Sequence, residues 1–320
     1  MTAVLVTGAS GFVGAGLLMR LVENAFACSI AVRRPLPGIS ADVRVVQVPS
    51  LEGAIDLRQA IAGNQVVIHC AGRAHVMHEQ ADDPLAEFRA VNVGGTLNLA
   101  RQAAAAGVTR FIFLSSVKVN GDHTQPGQPY QVESSVAPTD SYGISKAEAE
   151  DALRALAEET GMQVVIIRPV LVYGPGVKAN FHSMMRWLYQ GVPLPLGAID
   201  NKRSLVALDN LVDLIMTCID HPAAANQTFL ASDGEDLSTT DLLRRMAKAL
   251  GRPARLVPVP AWLLRAAASL LGKGDVAQRL CGSLQVDISK TRNLLGWTPP
   301  VSLDSALQQT ANDFLEQQNP

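Results

Sequence analysis

Val4-Leu5-Val6-Thr7-Gly8-Ala9-Ser10-Gly11-Phe12-Val13-Gly14 is an apolar run that breaks into three glycines spaced three apart and then resumes at helical period. The β-branched and leucine residues at its start predict a buried parallel strand. Gly8 and Gly11 permit a tight turn whose backbone can approach a ligand closely. The helix predicted from about Phe12 to Asn24 then aims its free N–H groups and the positive end of its dipole at that turn, which makes an anion site. A glycine triplet alone is a common strand-to-helix turn. Its place between a first strand and an amphipathic helix points to the pyrophosphate of a dinucleotide.

Strand and helix patterns continue from there. Cys28-Ser29-Ile30-Ala31-Val32 reads as a second strand ending at Arg33-Arg34 before Pro35. The end of this strand is where such a fold reads the adenosine ribose. No Asp or Glu stands there to bind a free 2′-hydroxyl, and two guanidinium groups suit a ribose phosphate, so NADP(H) is favoured with NAD(H) possible. Val43 to Val48 gives a third strand and Leu57 to Ala62 a helical segment. A fourth strand, from Gln65, ends in the small residues Ala71-Gly72, across which a cofactor can lie. His69 reads as a packed sheet residue, and His75 and His78 have no spacing that defines a metal site.

Apolar positions then recur at helical period from Pro84 to Ala106, through Asn92, and Gly107 closes that helix. The next strand, from Arg110, delivers the hydroxyls of Ser115 and Ser116 to the carboxyl edge, where open α/β sheets place ligands. A Pro- and Gly-rich loop from Gly121 to Thr139 leads to a helix capped by Asp140 or Ser141. That helix opens with Tyr142-Gly143-Ile144-Ser145-Lys146, which sets a phenol and an ammonium four apart on one face. The expected architecture is α/β: a Rossmann-type doubly wound parallel sheet over 1–169 plus part of 203–225, and a smaller mixed α/β substrate domain over 170–320.

The 320 residues carry 27 Lys plus Arg against 29 Asp plus Glu, a formal net charge of −2. No global field draws the protein to nucleic acid or anionic lipid, so anion binding is local. Cys28, Cys70, Cys218 and Cys281 lie far apart, the first three in apolar runs, and read as thiols in a reducing compartment. No basic segment precedes the first apolar run, so a signal peptide is not expected. Val257 to Leu271 contains prolines and an arginine and falls short of a membrane span. It reads as a packed, proline-bounded helix, membrane-surface contact being the lesser reading. The expectation is a cytoplasmic protein without stable membrane insertion.

The glycine loop, the Asn92 helix, Ser115-Ser116, Tyr142 with Lys146, and Arg168-Pro169-Val170-Leu171-Val172-Tyr173-Gly174-Pro175 resemble, in order and spacing, the extended short-chain dehydrogenase/reductase family. So do Arg203-Ser204-Leu205-Val206-Ala207-Leu208-Asp209-Asn210 and Ser289-Lys290 through Leu295-Gly296-Trp297-Thr298-Pro299. Its members include nucleotide-sugar 4-epimerases, 4,6-dehydratases and 4-keto-sugar reductases. The resemblance implies that Ser116 hydrogen-bonds a sugar oxygen, Tyr142 passes a proton to or from it, and Lys146 holds the nicotinamide ribose while favouring the phenolate. It further implies a cofactor cradle of Gly8, Ser10, Gly11, Phe12, Val13, Gly14, Arg33, Arg34, Ala71, Gly72, Asn92 and Pro169. Asn180, Arg203 and Lys118, with Arg279 as a weaker candidate, would serve the substrate's UDP-sugar. A homodimer through the Asn92 and Tyr142 helices is expected on the same basis, and a lid between Gly174 and Phe181 from the two glycines and a proline that lie close together there.

Departures from the family pattern choose among reactions. Dehydratases carry an Asp-Glu pair after the catalytic hydroxyl, and here those places hold Val117 and Lys118. Leu171 stands where many epimerases carry an asparagine, and the Gly-Asp pair after the third strand is absent around Val48-Pro49. Phe113 to Gly121 with Gly282 to Asp287 resembles bacterial UDP-sugar 4-keto reductases that make precursors such as UDP-N-acetylquinovosamine for surface polysaccharide. The expectation is therefore NADPH-dependent reduction at carbon 4 of a UDP-4-keto-6-deoxy-N-acetylhexosamine. The alternative is a UDP-hexose 4-epimerase holding NAD tightly, and a more remote one is a cofactor-sensing regulator.

Overall fold

The computed structural model describes residues 2–74, 83–272 and 274–318; His75 and His78 lie outside them. In chain order the elements are β1 (Ala3–Thr7), α1 (Phe12–Glu23), β2 (Ala27–Val32), β3 (Arg44–Gln47), α2 (Arg58–Ile61), β4 (Val66–His69), α3 (Pro84–Arg89), α4 (Thr96–Ala105), β5 (Arg110–Leu114), α5 (Ser141–Thr160) and β6 (Gln163–Pro169). There follow β7 (Leu171–Tyr173), α6 (Ala179–Tyr189), β8 (Arg203–Ala207), α7 (Leu208–Asp220), β9 (Thr228–Ala231), β10 (Asp236–Leu237), α8 (Thr239–Ala249), α9 (Ala261–Leu270), α10 (Gly274–Cys281), α11 (Ser289–Leu295) and α12 (Leu303–Gln318).

A seven-stranded sheet runs in the order β3-β2-β1-β4-β5-β6-β9, every pair parallel. Its central strands are buried along nearly their whole length and mostly apolar, because helices cover both faces. On one face, Leu17, Leu21, Leu211 and Ile215 of α1 and α7 pack on Val4, Val6 and Ile68. On the other, Leu99, Ala103 and Leu153 of α4 and α5 pack on Leu5, Val67 and Phe111. The order reverses outward from β1 and β4, so a crevice opens at their carboxyl ends, the position where this topology binds ligands.

A second, three-stranded sheet, β10-β8-β7, anchors a separate core of α6, α8 and α12. The chain returns to the first unit more than the sequence reading allowed. β9, inside the stretch expected for the second unit, hydrogen-bonds to β6 as the seventh strand, and Trp297 packs in the first core with Nε1 on Asp213 of α7. Val257 to Leu271 meets the expectation only in part: α9 starts after Pro260 as anticipated and rests Ala261 and Leu264 on the second core, yet none of its residues is buried. No helix of the described residues is long and apolar enough to cross a membrane.

Candidate active site

The glycine turn forms as its sequence dictates. Gly8 has φ +76°, and a side-chain carbon there would come 2.5 Å from Ala71 N, so the turn lies directly against the end of β4. Gly11 N–H donates to Gly8 O at 2.9 Å, and any side chain at Gly14 would overlap that same carbonyl, so helix and strand approach as closely as backbones allow. The α1 N-terminus is capped by Gly11 with no side-chain hydrogen bond, and its first turn holds no acidic residue. Ser10 and Gly11 are exposed, while Phe12 and Val13 are half-buried. These unfilled donors and the absence of negative charge fit a dinucleotide pyrophosphate.

Beneath the turn, Thr7 Oγ1 meets His69 Nδ1 at 2.6 Å, and His69 Nε2 meets Thr96 Oγ1 at 2.9 Å. Burial drives the His69 pKa down to about 3, with the Lys146 charge adding to it, so the ring is neutral. His69 thus joins β1, β4 and α4 as a packing residue, which agrees with the sequence reading, although its two threonine partners were not foreseen.

The expected Pro84–Ala106 helix is interrupted by a π-helical turn over Ala90–Gly95. Gly95 makes this possible, since a side chain there would strike the Leu51 carbonyl. The extra residue turns Asn92, 1 % exposed, inward. Its Oδ1 accepts from Arg73 N at 2.8 Å, and its Nδ2 donates to Arg73 O at 3.0 Å and to Ser145 Oγ at 2.9 Å. Asn92 therefore clamps the chain after Gly72 to the helix that carries Tyr142 and Lys146. A side-chain carbon on exposed Gly72 would stand 3.1 Å from Asn92 Oδ1 and 3.3 Å from Lys146 Nζ.

Ser116 caps a short 3₁₀ turn, Val117–Val119, by accepting from Lys118 N at 3.2 Å. Asp140, the N-cap of α5, accepts from Gly143 N at 2.7 Å, and a side-chain carbon at Gly143 would lie 2.8 Å from Lys118 O. That approach delivers the first turn of α5 to the end of β5 and brings the Tyr142 phenol to the Ser116 side chain. Phe88 packs edge-on against Tyr142 at 6.1 Å between ring centres. Desolvation pushes the phenol up to about 12 against the opposing Ser116 hydrogen bond.

Lys146 is 3 % exposed; its Nζ donates to Leu114 O at 2.9 Å and sits 4.3 Å from the centre of the Phe113 ring. Burial draws this ammonium down to about 8. The anticipated influence of the ammonium is not among the causes of the phenol's shift, and Lys146 is directed at the β5 carbonyl instead. Pro169, at the end of β6, completes the rim beside β5.

Other anticipated residues separate from this cluster. Lys118 Nζ pairs with Asp122 and, at 3.0 Å, with Asp140, and these carboxylates outweigh burial to raise its pKa. It is a strut between the 3₁₀ turn and α5 rather than a free cation. Arg33 and Arg34 are exposed after β2, with no ion pair or side-chain hydrogen bond among the described residues. In the second unit, Arg203 Nη1 donates to Arg279 O at 2.9 Å and to Gly282 O at 3.2 Å, so β8 and α10 meet there. Arg279 and Asn180 are exposed, and no hydrogen bond joins Asn180 to either arginine. The Gly174–Phe181 segment is tied at both ends, by Gly176 N on Asp313 and by Phe181 stacked on Tyr173 at 5.3 Å.

One supporting group escaped the sequence reading altogether. Glu150, fully buried, accepts from Ser115 Oγ at 2.5 Å and from Arg168 at 2.9 and 2.6 Å. The signal was present in the resemblance motif that begins with Arg168 and in the placement of Glu150 one turn after Lys146.

Comparisons with known proteins agree with this fold. A UDP-glucose 4-epimerase of Vibrio cholerae is 50 % identical over 99 % of this chain and 97 % of its own length. The crystal structure of a UDP-glucose 4-epimerase from Thermotoga maritima with UDP-glucose superposes with a TM-score of 0.80 at 21 % identity, covering 99 % and 100 % of the two chains. That of RMD from Pseudomonas aeruginosa with NADPH gives 0.73 at 21 % identity, covering 98 % and 99 %. Residues 4–231 match the model of the NAD dependent epimerase/dehydratase family, and with the glycine turn and the Ser116, Tyr142 and Lys146 cluster in place, the chain belongs to that family.

Proposed function

We propose that this protein is a UDP-hexose 4-epimerase, acting by reversible oxidation at carbon 4 of the sugar. The observation that carries this reading is the meeting of the Ser116 and Tyr142 side chains beside buried Lys146, at the carboxyl edge of the sheet. The extensive identity to a UDP-glucose 4-epimerase supports it over the 4-keto-reductase first expected.

A nicotinamide dinucleotide, held at Gly8 to Gly14, Ala71-Gly72 and Lys146, supplies the hydride acceptor and donor. Ser116 and Tyr142 hold the sugar's 4-oxygen. Tyr142 accepts its proton as the ketone forms and returns that proton as the alcohol is restored on the other face. Lys146 lends positive charge to the phenolate at that moment. Arg203 and Arg279 serve the diphosphate of the nucleotide.

The exposed, unpaired Arg33 and Arg34 favour a second reading, a reductase that takes NADPH and releases NADP after each turnover. Purified protein mixed with UDP-galactose, without added cofactor, should yield UDP-glucose by proton NMR, with NAD released on denaturation. Stoichiometric NADPH consumption with a UDP-4-keto-6-deoxyhexosamine, and no interconversion of the two hexoses, would replace the epimerase by the reductase.

A further inference from the structure

We propose that the outward face of α9, with the arginines around it, docks the protein onto an anionic bilayer. The helix is inverted. At 3.6 residues per turn, Trp262, Leu263, Ala266, Ala267 and Leu270 fall on one side, and all are exposed. Trp262 is 70 % and Leu270 89 % exposed, and Leu271, just past the helix, is 72 %. Ala261 and Leu264, on the narrower opposite side, are what α9 packs against the second core. A helix at a protein surface normally turns its apolar stripe inward. A continuous apolar arc facing water marks an interaction site.

Charge selects the occupant. From Gly251 to Ser283 the sequence carries Arg252, Arg255, Arg265, Lys273 and Arg279 against Asp275 alone, in a chain whose formal net charge is −2. The four arginines are exposed and, among the described residues, none is in an ion pair. Arg255 and Arg265 donate to the Gly191 and Cys281 carbonyls, and Arg252 lies over the Tyr189 ring, contacts that leave their charge uncompensated. A second copy of the chain meeting this face about a two-fold axis would bring like charge onto like. A polynucleotide would leave Trp262 and the leucines in water. At the boundary of headgroups and acyl chains, the apolar arc is buried and the arginines meet anionic lipid, the arrangement of an interfacial helix. Trp262, Leu270, Arg255 and Arg265, on which the test rests, have no part in the reaction proposed above; Arg279 alone is shared with it.

The test sediments the full-length protein with vesicles of phosphatidylcholine, alone or mixed with phosphatidylglycerol. Wild type should pellet with the phosphatidylglycerol vesicles, less so as salt is raised. A Trp262→Gln, Leu270→Gln double variant should bind them about tenfold or more weakly, with unchanged circular dichroism. Arg255→Gln with Arg265→Gln, which keeps the apolar arc, should remove most of the salt-dependent part and gives a second, separate readout. Wild type remaining in the supernatant, or both variants pelleting like wild type, overturns the proposal. So does sedimentation velocity showing a wild-type dimer that the apolar double variant makes monomeric without loss of vesicle binding.

Discussion

Tyr142 carries its proton at neutral pH: burial raises its pKa to about 12 against the pull of neighbouring Ser116. A phenol so placed is a ready donor to an oxyanion and a reluctant acceptor, so the neighbouring ammonium matters most in the oxidative direction. Tyr142→Phe keeps the edge contact with Phe88 and removes the hydroxyl. Turnover should fall by about 10²–10⁴-fold with unchanged thermal unfolding, as a coupled assay and a melting curve will report. His69 makes a separate prediction about stability. Its folded pKa of about 3 lies below the ordinary value of 6.5, so between these pH values the unfolded chain binds more protons and stability is lost as the solution is acidified. His69→Gln removes that proton uptake, and urea midpoints at pH 7 and pH 5 should show wild type losing about 2 kcal/mol more than the variant.

At the level of elements, the site depends on how β5, α5 and β6 are joined. Glu150 of α5 is shared by Ser115 at the end of β5 and Arg168 of β6, both buried, and by the half-buried Arg154, whose side chain reaches solvent. Breaking a buried pair by removing one partner strands the other charge, whereas an exposed partner is screened. Glu150→Ala should therefore lower the unfolding free energy by about 3–5 kcal/mol, and Arg154→Ala by less than about 1 kcal/mol, both read from urea titrations. The π turn before α4 is the other element on which the site rests. The sequence from Pro84 to Ala106 showed an uninterrupted helical period, and neither Asn92 nor Gly94-Gly95 announced that one residue would be accommodated there. The contact that selects it, Gly95 against the Leu51 backbone, is long-range.

In the whole molecule the two cores are stitched together by Asp233, in the loop after β9. It accepts from Tyr173 Oη at 2.9 Å, from Ala207 N at 2.8 Å and from Asn210 Nδ2 at 2.7 Å. Tyr173 and Ala207 belong to the second core, while α7, which carries Asn210, packs under the main sheet. Asp233→Ala leaves buried donors unsatisfied, and unfolding followed by fluorescence should show a loss of about 2–4 kcal/mol.

The sequence by itself determined the parallel α/β core, the glycine turn, and the placing of Tyr142 and Lys146 on one face of one helix. Each of these depends on local periodicity, on steric rules for glycine, or on residues close together in one helix. Tertiary structure alone decided the rest. It showed Lys118 neutralised by two carboxylates, β9 closing the sheet, Asn92 bound to Ser145 and α9 facing outward. These outcomes depend on which surfaces meet across long separations in the chain. Hydrophobic period records that a face is apolar, but it does not record whether anything in the folded molecule covers it.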